Sequence, residues 1–240
     1  MHMSSPHNTK YAKTYNIIGH SYECLHNEKN NCKCEKLEFV NNFKYLGLTI
    51  DRNMSWRTHI KIVCNKLRYL LTKFYHLKHV LDSKTMYSVY YALVESLIDY
   101  GLTSYGRTFK SYLDEIKNLQ VRFLKLLVNN KTKERYRGDF NALFSHCKIL
   151  PVHEKAQCLI AAQYYNDYKH KIITPDKNCR RIKKLFYESY KHTNYYGQRT
   201  SKYLAPKIYN KLPLEFFNCN NSQLFKTKVK KHLLNQMSMT

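Results

Sequence analysis

Glycine is scarce in this sequence, with six residues among 240, and the six are spread along the chain. P-loop and dinucleotide-binding folds need clustered glycines, because their backbone must approach the phosphates closely. Neither glycine motif is present in the chain. The sequence therefore excludes these two classes of nucleotide-binding enzyme.

Acidic residues are also few, 17 in all, and no two aspartates are adjacent. Two-metal nucleotidyl transfer needs clustered carboxylates, because they hold metal ions roughly 4 Å apart. The aspartates instead stand apart, at positions typical of helix caps, turns and solvated faces: Asp51, Asp82, Asp99, Asp114, Asp139, Asp167 and Asp176. We expect no catalytic residue, no metal and no other cofactor in this chain.

Long apolar runs are absent too. No stretch approaches the roughly 20 residues that a membrane-spanning helix requires. The first 13 residues are polar and do not resemble a signal peptide, so we predict a disordered leader over 1–13. We therefore expect an intracellular protein with reduced thiols and no membrane partner.

Positive charge dominates the composition. Lysine and arginine number 41, which gives a formal net charge of +24. A small domain commonly carries a net charge of only about 2–8 units. Such a field attracts polyanions, of which nucleic acid is the usual one. Codon bias in an AT-rich genome is an alternative source of lysine, although it does not explain the low number of acidic residues.

The apolar pattern predicts a mainly α chain with a short N-terminal β-hairpin. The 22 tyrosines and 11 phenylalanines provide area for a core. Residues 15–25 and 37–50 have the character of strands, and Asn41 and Asn42 predict a turn within the second stretch. Gly47 lies inside that stretch, so we expect a bulge or a close backbone contact there.

Helical periodicity begins near Trp56 and predicts a helix over 57–80, followed by one that Asp82 or Ser83 caps and Gly101 ends. A third helix ends near Asn129 and Asn130. On the first helix the predicted buried stripe is Ile60, Val63, Leu67, Leu70, Phe74 and Leu77. On the second helix it is Met86, Val89, Tyr90, Leu93, Val94 and Leu97. On the third helix it is Leu113, Ile116, Leu119, Phe123, Leu124 and Leu127.

The rest of the chain is predicted to mix helices with irregular segments. We expect a basic loop over 131–138, helices over 139–146, 151–171 and 178–190, and an irregular segment over 195–213. Asn221 or Ser222 caps a last helix, with Phe225, Val229 and Leu233 facing inward.

Two groups of cysteine and histidine are candidates for zinc sites. The first is Cys24, Cys32 and Cys34 with His20 or His26; the second is Cys147, His153 and Cys158. Neither has the spacing typical of structural zinc sites. Isolated thiols are the interpretation that the spacing favours.

Basic residues occur at spacings that place them together on helix surfaces. Lys61 and Arg68 are seven residues apart, as are Lys66 and Lys73, and both pairs flank the first apolar stripe. Further clusters are Arg180, Arg181, Lys183 and Lys184, and Lys226, Lys228, Lys230 and Lys231. Several such clusters favour phosphate contact, whereas the alternative for any one of them is a solvated amphipathic face.

The segment FKYLGLTID, from Phe43 to Asp51, is followed by Met54-Ser55-Trp56 and His59-Ile60. These residues resemble a hairpin, and the segment after it, in the C-terminal part of non-LTR (LINE, jockey-like) retrotransposon reverse transcriptases. PKIYNKLP, from Pro206 to Pro213, is similar to a second family motif, with Tyr209 where tryptophan is usual. The resemblance extends over about 43–235, with weaker matches in the helices between.

The resemblance implies an organisation for the chain. It implies the end of the polymerase palm with a primer-grip hairpin over 14–53, a thumb-like helical bundle over 54–130, and a helical or irregular C-terminal segment over 131–240. The family's metal-binding aspartates lie upstream, so Mg²⁺ is implied only for the complete parent enzyme, an RNA-directed DNA polymerase. The implied location is the nucleus or a cytoplasmic ribonucleoprotein.

The resemblance and the basic clusters together give a set of expected nucleic-acid contacts. The expected partners are element RNA, RNA–DNA hybrid and target DNA, together with the missing palm and fingers domains. The candidate residues are Lys44, Tyr45, Gly47, Lys61, Lys66, Arg68, Lys73, Arg180, Arg181, Lys226 and Lys230. Rival interpretations are a basic helical interaction or scaffold protein, a complete nuclease or polymerase, and a decayed retroelement remnant without activity.

Overall fold

The structure is a computed structural model that describes residues 40–168, 186 and 197–238. The chain divides into two compact units, Met1–His59 and Ile60–Thr240. The leader 1–13, the strand at 15–25 and, apart from Phe186, the helix at 178–190 lie outside the described residues. Within the described part the protein is mainly α with one two-stranded antiparallel hairpin, as the sequence predicts.

The hairpin in the first unit pairs β1 (Asn42–Tyr45) with β2 (Leu48–Asp51). Leu46 and Gly47 form the two-residue loop, with φ of 44° and 78°. Two positive φ values are the pattern of a type I′ turn, which suits the twist of paired strands. The prediction of a turn at Asn41 and Asn42 is therefore wrong, because Gly47 supplies the left-handed conformation that the loop needs. Gly47 is a turn residue and not a bulge.

Asp51 fixes the chain where it leaves the hairpin. Its carboxylate accepts hydrogen bonds from the backbone N–H groups of Asn53, Ser55 and Trp56, at 3.2, 2.9 and 2.6 Å. Trp56 is buried, and its ring meets that of His59 edge to face at 6.2 Å. The backbone N–H of Thr49 donates to His59 Nδ1 at 3.3 Å. These bonds anchor the turn between β2 and the first helix.

Two long helices supply much of the core of the second unit: α1 (Arg57–Leu77) and α5 (Lys110–Leu127). Phe74 of α1 meets Phe123 of α5 edge to face, with ring centroids 5.0 Å apart. The whole predicted stripe of α5 is buried, which confirms it. On α1 the prediction holds for Ile60, Val63, Leu67 and Phe74, whereas Leu70 and Leu77 are half-buried and Cys64 and Leu71 are buried in addition.

The second predicted helix contains a π-helical turn. Asp82 caps α2 (Ser83–Val89) through bonds to the N–H groups of Lys84 and Thr85, as predicted. The π turn (Tyr90–Glu95) and α3 (Ser96–Asp99) follow without a break. Because i→i+5 bonding widens the turn, the buried positions shift to Met86, Tyr90, Val94, Glu95 and Ile98. The prediction that Leu93 and Leu97 face inward is wrong, since Leu93 is exposed and Leu97 half-buried.

Gly101 ends this helical segment with a φ of 71°, as predicted, and the short α4 (Leu102–Tyr105) follows. Gly106 then closes α4, where a Cβ at this position would lie closest to Leu102 O and 2.7 Å from Ala156 Cβ. Ala156 lies on α8 (Val152–Tyr168), so the missing side chain of Gly106 lets α4 approach α8 closely.

Replacing Gly106 with alanine is expected to lower the free energy of unfolding by about 1–3 kcal/mol, because the added methyl group crowds Leu102 O within α4 and Ala156 Cβ on α8. The backbone conformation itself suits alanine, so steric crowding is the cause. Urea unfolding followed by far-UV circular dichroism measures the change. Ser104→Ala on the exposed side of α4 is the control, and equal stability of the two variants would contradict the close packing.

The middle of the chain is more helical than the sequence predicts. The expected loop over 131–138 is wrong for most of its length, because Asn129 caps α6 (Asn130–Arg135) by accepting from Thr132 N–H at 2.9 Å. Asp139 caps α7 (Phe140–His146) in the same way, and α7 and α8 confirm the predicted helices. Buried Gln120 connects α5 to the start of α8. Its side-chain N–H donates to the carbonyl of Leu150, and its side-chain oxygen accepts from the N–H of Val152.

The C-terminal elements are α9 (Ser201–Tyr209), a 3₁₀ turn (Leu214–Asn218) and α10 (Ser222–Ser238), which Asn221 caps as predicted. Phe225 and Val229 are buried, while Leu233 is only half-buried. The irregular segment predicted over 195–213 is wrong for 201–209. Although Pro206 disfavours a helix, Tyr209 is fully buried and its hydroxyl donates to Ala161 O at 2.7 Å.

An aromatic cluster holds the C-terminal elements against α8: Tyr165, Phe186, Tyr209, Phe217 and Phe225. The Tyr165 and Phe225 rings are stacked, with centroids 4.3 Å apart. The Tyr165 hydroxyl donates to the backbone carbonyls of Phe217 and Cys219 at 3.0 and 2.7 Å.

Among the described residues, no helix has the length and apolarity needed to cross a membrane.

Candidate nucleic-acid interface

The solvent-facing side of α1 carries four of the predicted contact residues. Lys61, Lys66, Arg68 and Lys73 are all exposed, while the opposite side of the helix is buried. With 3.6 residues per turn, the pair Lys66 and Lys73 follows one edge of the exposed side, and Lys61 and Arg68 follow the other. The structure thus brings each pair together and separates the two pairs across the helix. We call these four residues the α1 cation face.

Exposed tyrosines accompany these cations. Tyr69 is 65% exposed, and the Lys73 Nζ lies 5.3 Å from its ring centroid. Tyr75 is also exposed, with Lys78 Nζ 5.7 Å from its ring centroid. An exposed ring beside a cation suits single-stranded nucleic acid, because bases stack on the ring while the cation contacts phosphate. Neither tyrosine is among the contact residues predicted from the sequence, although both stand outside the predicted apolar stripe.

The hairpin presents the predicted Tyr45 at its tip. Tyr45 and Phe43 are exposed on one face of β1, and Lys44 lies on the opposite face because side chains alternate along a strand. Leu46 in the turn is 72% exposed. The tip is therefore apolar and aromatic on one face, and Lys44 and Tyr45 do not act on the same surface. Phe43 and Leu46 are two further exposed residues that are not among the contacts predicted from the sequence.

The predicted basic cluster of the last helix divides into two parts. Lys226 and Lys230 are half-buried near Cys158 of α8, whose thiol donates to Lys226 O at 3.6 Å. Lys228 and Lys231 are exposed elsewhere on α10. The structure therefore does not bring all four lysines of this cluster to one surface. Arg180 and Arg181 lie outside the described residues.

One lysine has a structural role instead. Lys155 of α8 is buried and forms ion pairs with Glu95 and with Asp99, the second at 3.1 Å. Burial lowers the pKa of Lys155, but Glu95 and Asp99 outweigh that effect and the net pKa is raised. The ammonium group therefore stays charged and ties α8 to the π turn and α3.

Most of the described aspartates are engaged in local structure. Asp51, Asp82 and Asp139 accept hydrogen bonds from backbone N–H groups. Asp99 pairs with Lys155, and Asp114 bonds His153 Nε2 at 2.8 Å. Within the described ranges, no group of three or more His, Cys, Asp or Glu side chains is arranged to hold a metal ion. Carboxylates in this arrangement do not fit a pair of Mg²⁺ ions.

The second zinc candidate is dispersed. Cys147 is near the Tyr87 hydroxyl, His153 bonds Asp114, and Cys158 bonds the backbone of α10. Burial raises the pKa of the Cys158 thiol to about 11 and also raises that of Cys147. Because the three side chains have separate partners, they do not fit a common zinc site. Cys24, Cys32 and Cys34 lie outside the described residues.

The fold and surface thus define a basic, mainly helical protein with cations and tyrosines exposed together on α1. Two curated proteins are similar to part of it, both described as RNA-directed DNA polymerase from mobile element jockey. That of Drosophila funebris is 30% identical over 94 residues, and that of Drosophila melanogaster is 29% identical over 86. These matches cover 37% and 35% of this chain. They support a reverse-transcriptase-related origin in a non-LTR mobile element.

The chain matches only 10% and 9% of the length of these two relatives. No family model and no solved structure matches the chain.

Proposed function

We propose that this chain is the C-terminal part of a jockey-like reverse transcriptase that grips template–primer nucleic acid without itself catalysing polymerisation. The α1 cation face, with its exposed tyrosines, is the observation that carries the proposal. The similarity of the chain to two RNA-directed DNA polymerases of the mobile element jockey supports nucleic acid as the ligand. In this proposal 14–53 ends the palm, 54–130 is the thumb and 131–240 is the C-terminal segment.

The grip acts through the backbone of the nucleic acid. Lys66 and Lys73 neutralise phosphates along one edge of α1, and Lys61 and Arg68 do so along the other. Because phosphate contacts position a protein without reading sequence, a thumb that follows any template needs this kind of surface. The buried side of α1 keeps the four side chains on one rigid element. Tyr45 at the hairpin tip contacts the primer in the same proposal.

The proposal assigns catalysis and metal binding to other parts of the complete enzyme. The catalytic aspartates and their Mg²⁺ belong to the palm of the complete enzyme, and no step is assigned to Mg²⁺ in this chain. The missing palm and fingers, element RNA and target DNA are the proposed partners, in the nucleus or a cytoplasmic ribonucleoprotein. A basic scaffold protein or an inactive remnant is the alternative, since codon bias also produces exposed lysines.

The proposal predicts steep salt dependence that arises from the α1 cation face. We expect the full chain to bind a labelled RNA–DNA hybrid and single-stranded RNA in fluorescence anisotropy, with affinity falling as salt rises. Replacing the four cations of the α1 cation face with glutamine is expected to reduce the slope of log K against log salt by about 3–4.

The matched control removes four exposed lysines elsewhere, in the variant with Lys84, Lys125, Lys131 and Lys148 replaced by glutamine. It changes the net charge equally and is expected to reduce the slope by no more than about 1. Equal losses in the two variants, or salt-independent binding by the folded protein, would favour the scaffold or remnant interpretation.

A further inference from the structure

Two adjoining cavities form one groove in the second unit. The larger, of about 420 Å³, lies among α5, α8 and α9, and the smaller, of about 280 Å³, among α7, α8, α9 and α10. They share Glu154 and Gln157 of α8, with Ile208 and Lys211 from α9 and the turn after it. We call the whole the α8–α9 groove. None of the residues that line it belongs to the α1 cation face.

The larger cavity is strongly cationic. Its lining includes Arg107, Lys110, Lys117, Lys207 and Lys211. The opposing carboxylate is Glu154, and the nearby Asp114 is bonded to His153 at 2.8 Å. Arg107 is held in place, because its Nε donates to Thr103 O at 2.7 Å and its Nη2 to the Tyr164 hydroxyl at 3.4 Å. A concave surface lined by one sign of charge focuses its field and attracts an anion.

The smaller cavity has a different chemistry. Apolar side chains from α10 line it together with the amides of Asn141, Gln157 and Gln236. Two polar atoms there are buried, the Oε2 of Glu154 and the Nε2 of His232, and neither has a hydrogen-bond partner among the described residues. The His232 ring is positioned by an edge-to-face contact with Phe216, with centroids 5.4 Å apart.

These two halves together match the parts of a nucleotide. A phosphodiester supplies negative charge for the cationic half, while an unpaired base supplies a flat apolar ring whose edge carries hydrogen-bond donors and acceptors. Buried polar atoms without partners are costly, so a ligand that bonds them gains affinity. A simple inorganic anion would fill only the cationic half, and an apolar peptide would leave the cations unused.

We propose that the α8–α9 groove binds an unpaired nucleotide of a nucleic-acid strand, with its backbone in the cationic half and its base in the half lined by α10. This site goes beyond the proposed thumb grip and does not require it, since the two surfaces share no residue. A strand bound here is single, because a base in a duplex is stacked between its neighbours and its Watson–Crick edge is already bonded, so it cannot enter the cavity and bond His232 and Glu154.

The test uses the full chain and two labelled 12-nucleotide probes, an oligothymidylate and an abasic deoxyribose-phosphate strand of the same length. Lys110→Gln with Lys207→Gln is expected to weaken binding of both probes about tenfold at low salt, since two phosphate contacts are lost. His232→Phe keeps the ring against Phe216 and removes the buried nitrogen. It is expected to weaken only the oligothymidylate, by about three- to tenfold.

Lys84→Gln with Lys131→Gln is the charge-matched control and is expected to change neither affinity more than about twofold, because both lysines are exposed and lie outside the groove lining. Photo-crosslinking with a 4-thiouridine 12-mer is expected to label α10 in the wild-type chain. Circular dichroism verifies that each variant is folded. An unchanged affinity for both probes in the cation variant, or a His232→Phe variant that binds both probes as the wild type does, would overturn the proposal.

Discussion

Replacing Lys155 with methionine is expected to lower the free energy of unfolding by about 3–5 kcal/mol. Methionine fills most of the volume of lysine but removes the charge, so Glu95 is left buried without its partner. Asp99, which is about one-third exposed, loses the same partner but retains contact with water. The cost thus comes mainly from the uncompensated carboxylate of Glu95 and not from lost packing.

The Lys155 prediction is measured by urea unfolding at neutral pH. The raised pKa of Lys155 means that its contribution is complete below the ordinary lysine pKa and is lost only as pH rises through the raised value. The double variant with Glu95→Leu is expected to recover much of the loss, because an apolar pair can replace a buried ion pair at little cost. Lys228→Met on the exposed side of α10 is the control. A Lys155→Met variant as stable as that control would contradict the buried ion pair.

Lys155 illustrates what the sequence could not reveal. It is one of 41 basic residues, and it lies 60 positions from Glu95, so nothing local distinguishes it from a solvated lysine. The π turn that directs Glu95 inward is equally hidden, because a 3.6-residue period places Leu93 and Leu97 in the core. Helices with strong local signals, α1 and α5 above all, were predictable because their apolar stripes determine which side is buried.

Two errors in the fold prediction have different physical origins. The segment 201–209 carries Pro206, and its helix forms because tertiary contacts of Tyr209 outweigh local propensity. The hairpin turn was misplaced by a few residues, since Asn41 and Asn42 are good turn formers but Gly47 fits the type I′ geometry better. Burial therefore overrides the local preference at 201–209, whereas at the hairpin one local preference outweighs another.

The two candidate interfaces also differ in whether the sequence alone could predict them. Pairs seven residues apart on α1 share an edge of one helix, so the α1 cation face was predictable from spacing alone. The α8–α9 groove was not, because Lys110 and Lys207 meet only through the packing of α5, α8 and α9. Lys207 also lies in the segment that was predicted to be irregular. Sites built from distant elements require the fold before they can be recognised.

Phe225→Ala is expected to cost about 3–5 kcal/mol, comparable to the loss of Lys155 but of a different origin. The Phe225 ring is fully buried, stacks on Tyr165 at 4.3 Å and meets the rings of Phe217 and Tyr209 at 5.7 and 6.1 Å. Removing the ring leaves a cavity among α8, α9 and α10 that these rigid aromatic neighbours cannot fill.

The measurement compares Phe225→Ala with Leu224→Ala, the preceding residue of α10, which is 46% exposed and is expected to cost less than about 1 kcal/mol. Phe225→Leu is expected to fall between them, because it retains part of the buried volume. Hydrogen exchange of the α10 amides provides a second readout, since loss of the ring loosens α10 from α8. If Phe225→Ala and Leu224→Ala cost the same, the aromatic cluster does not hold the C-terminal helix, and α10 cannot form a stable wall of the α8–α9 groove.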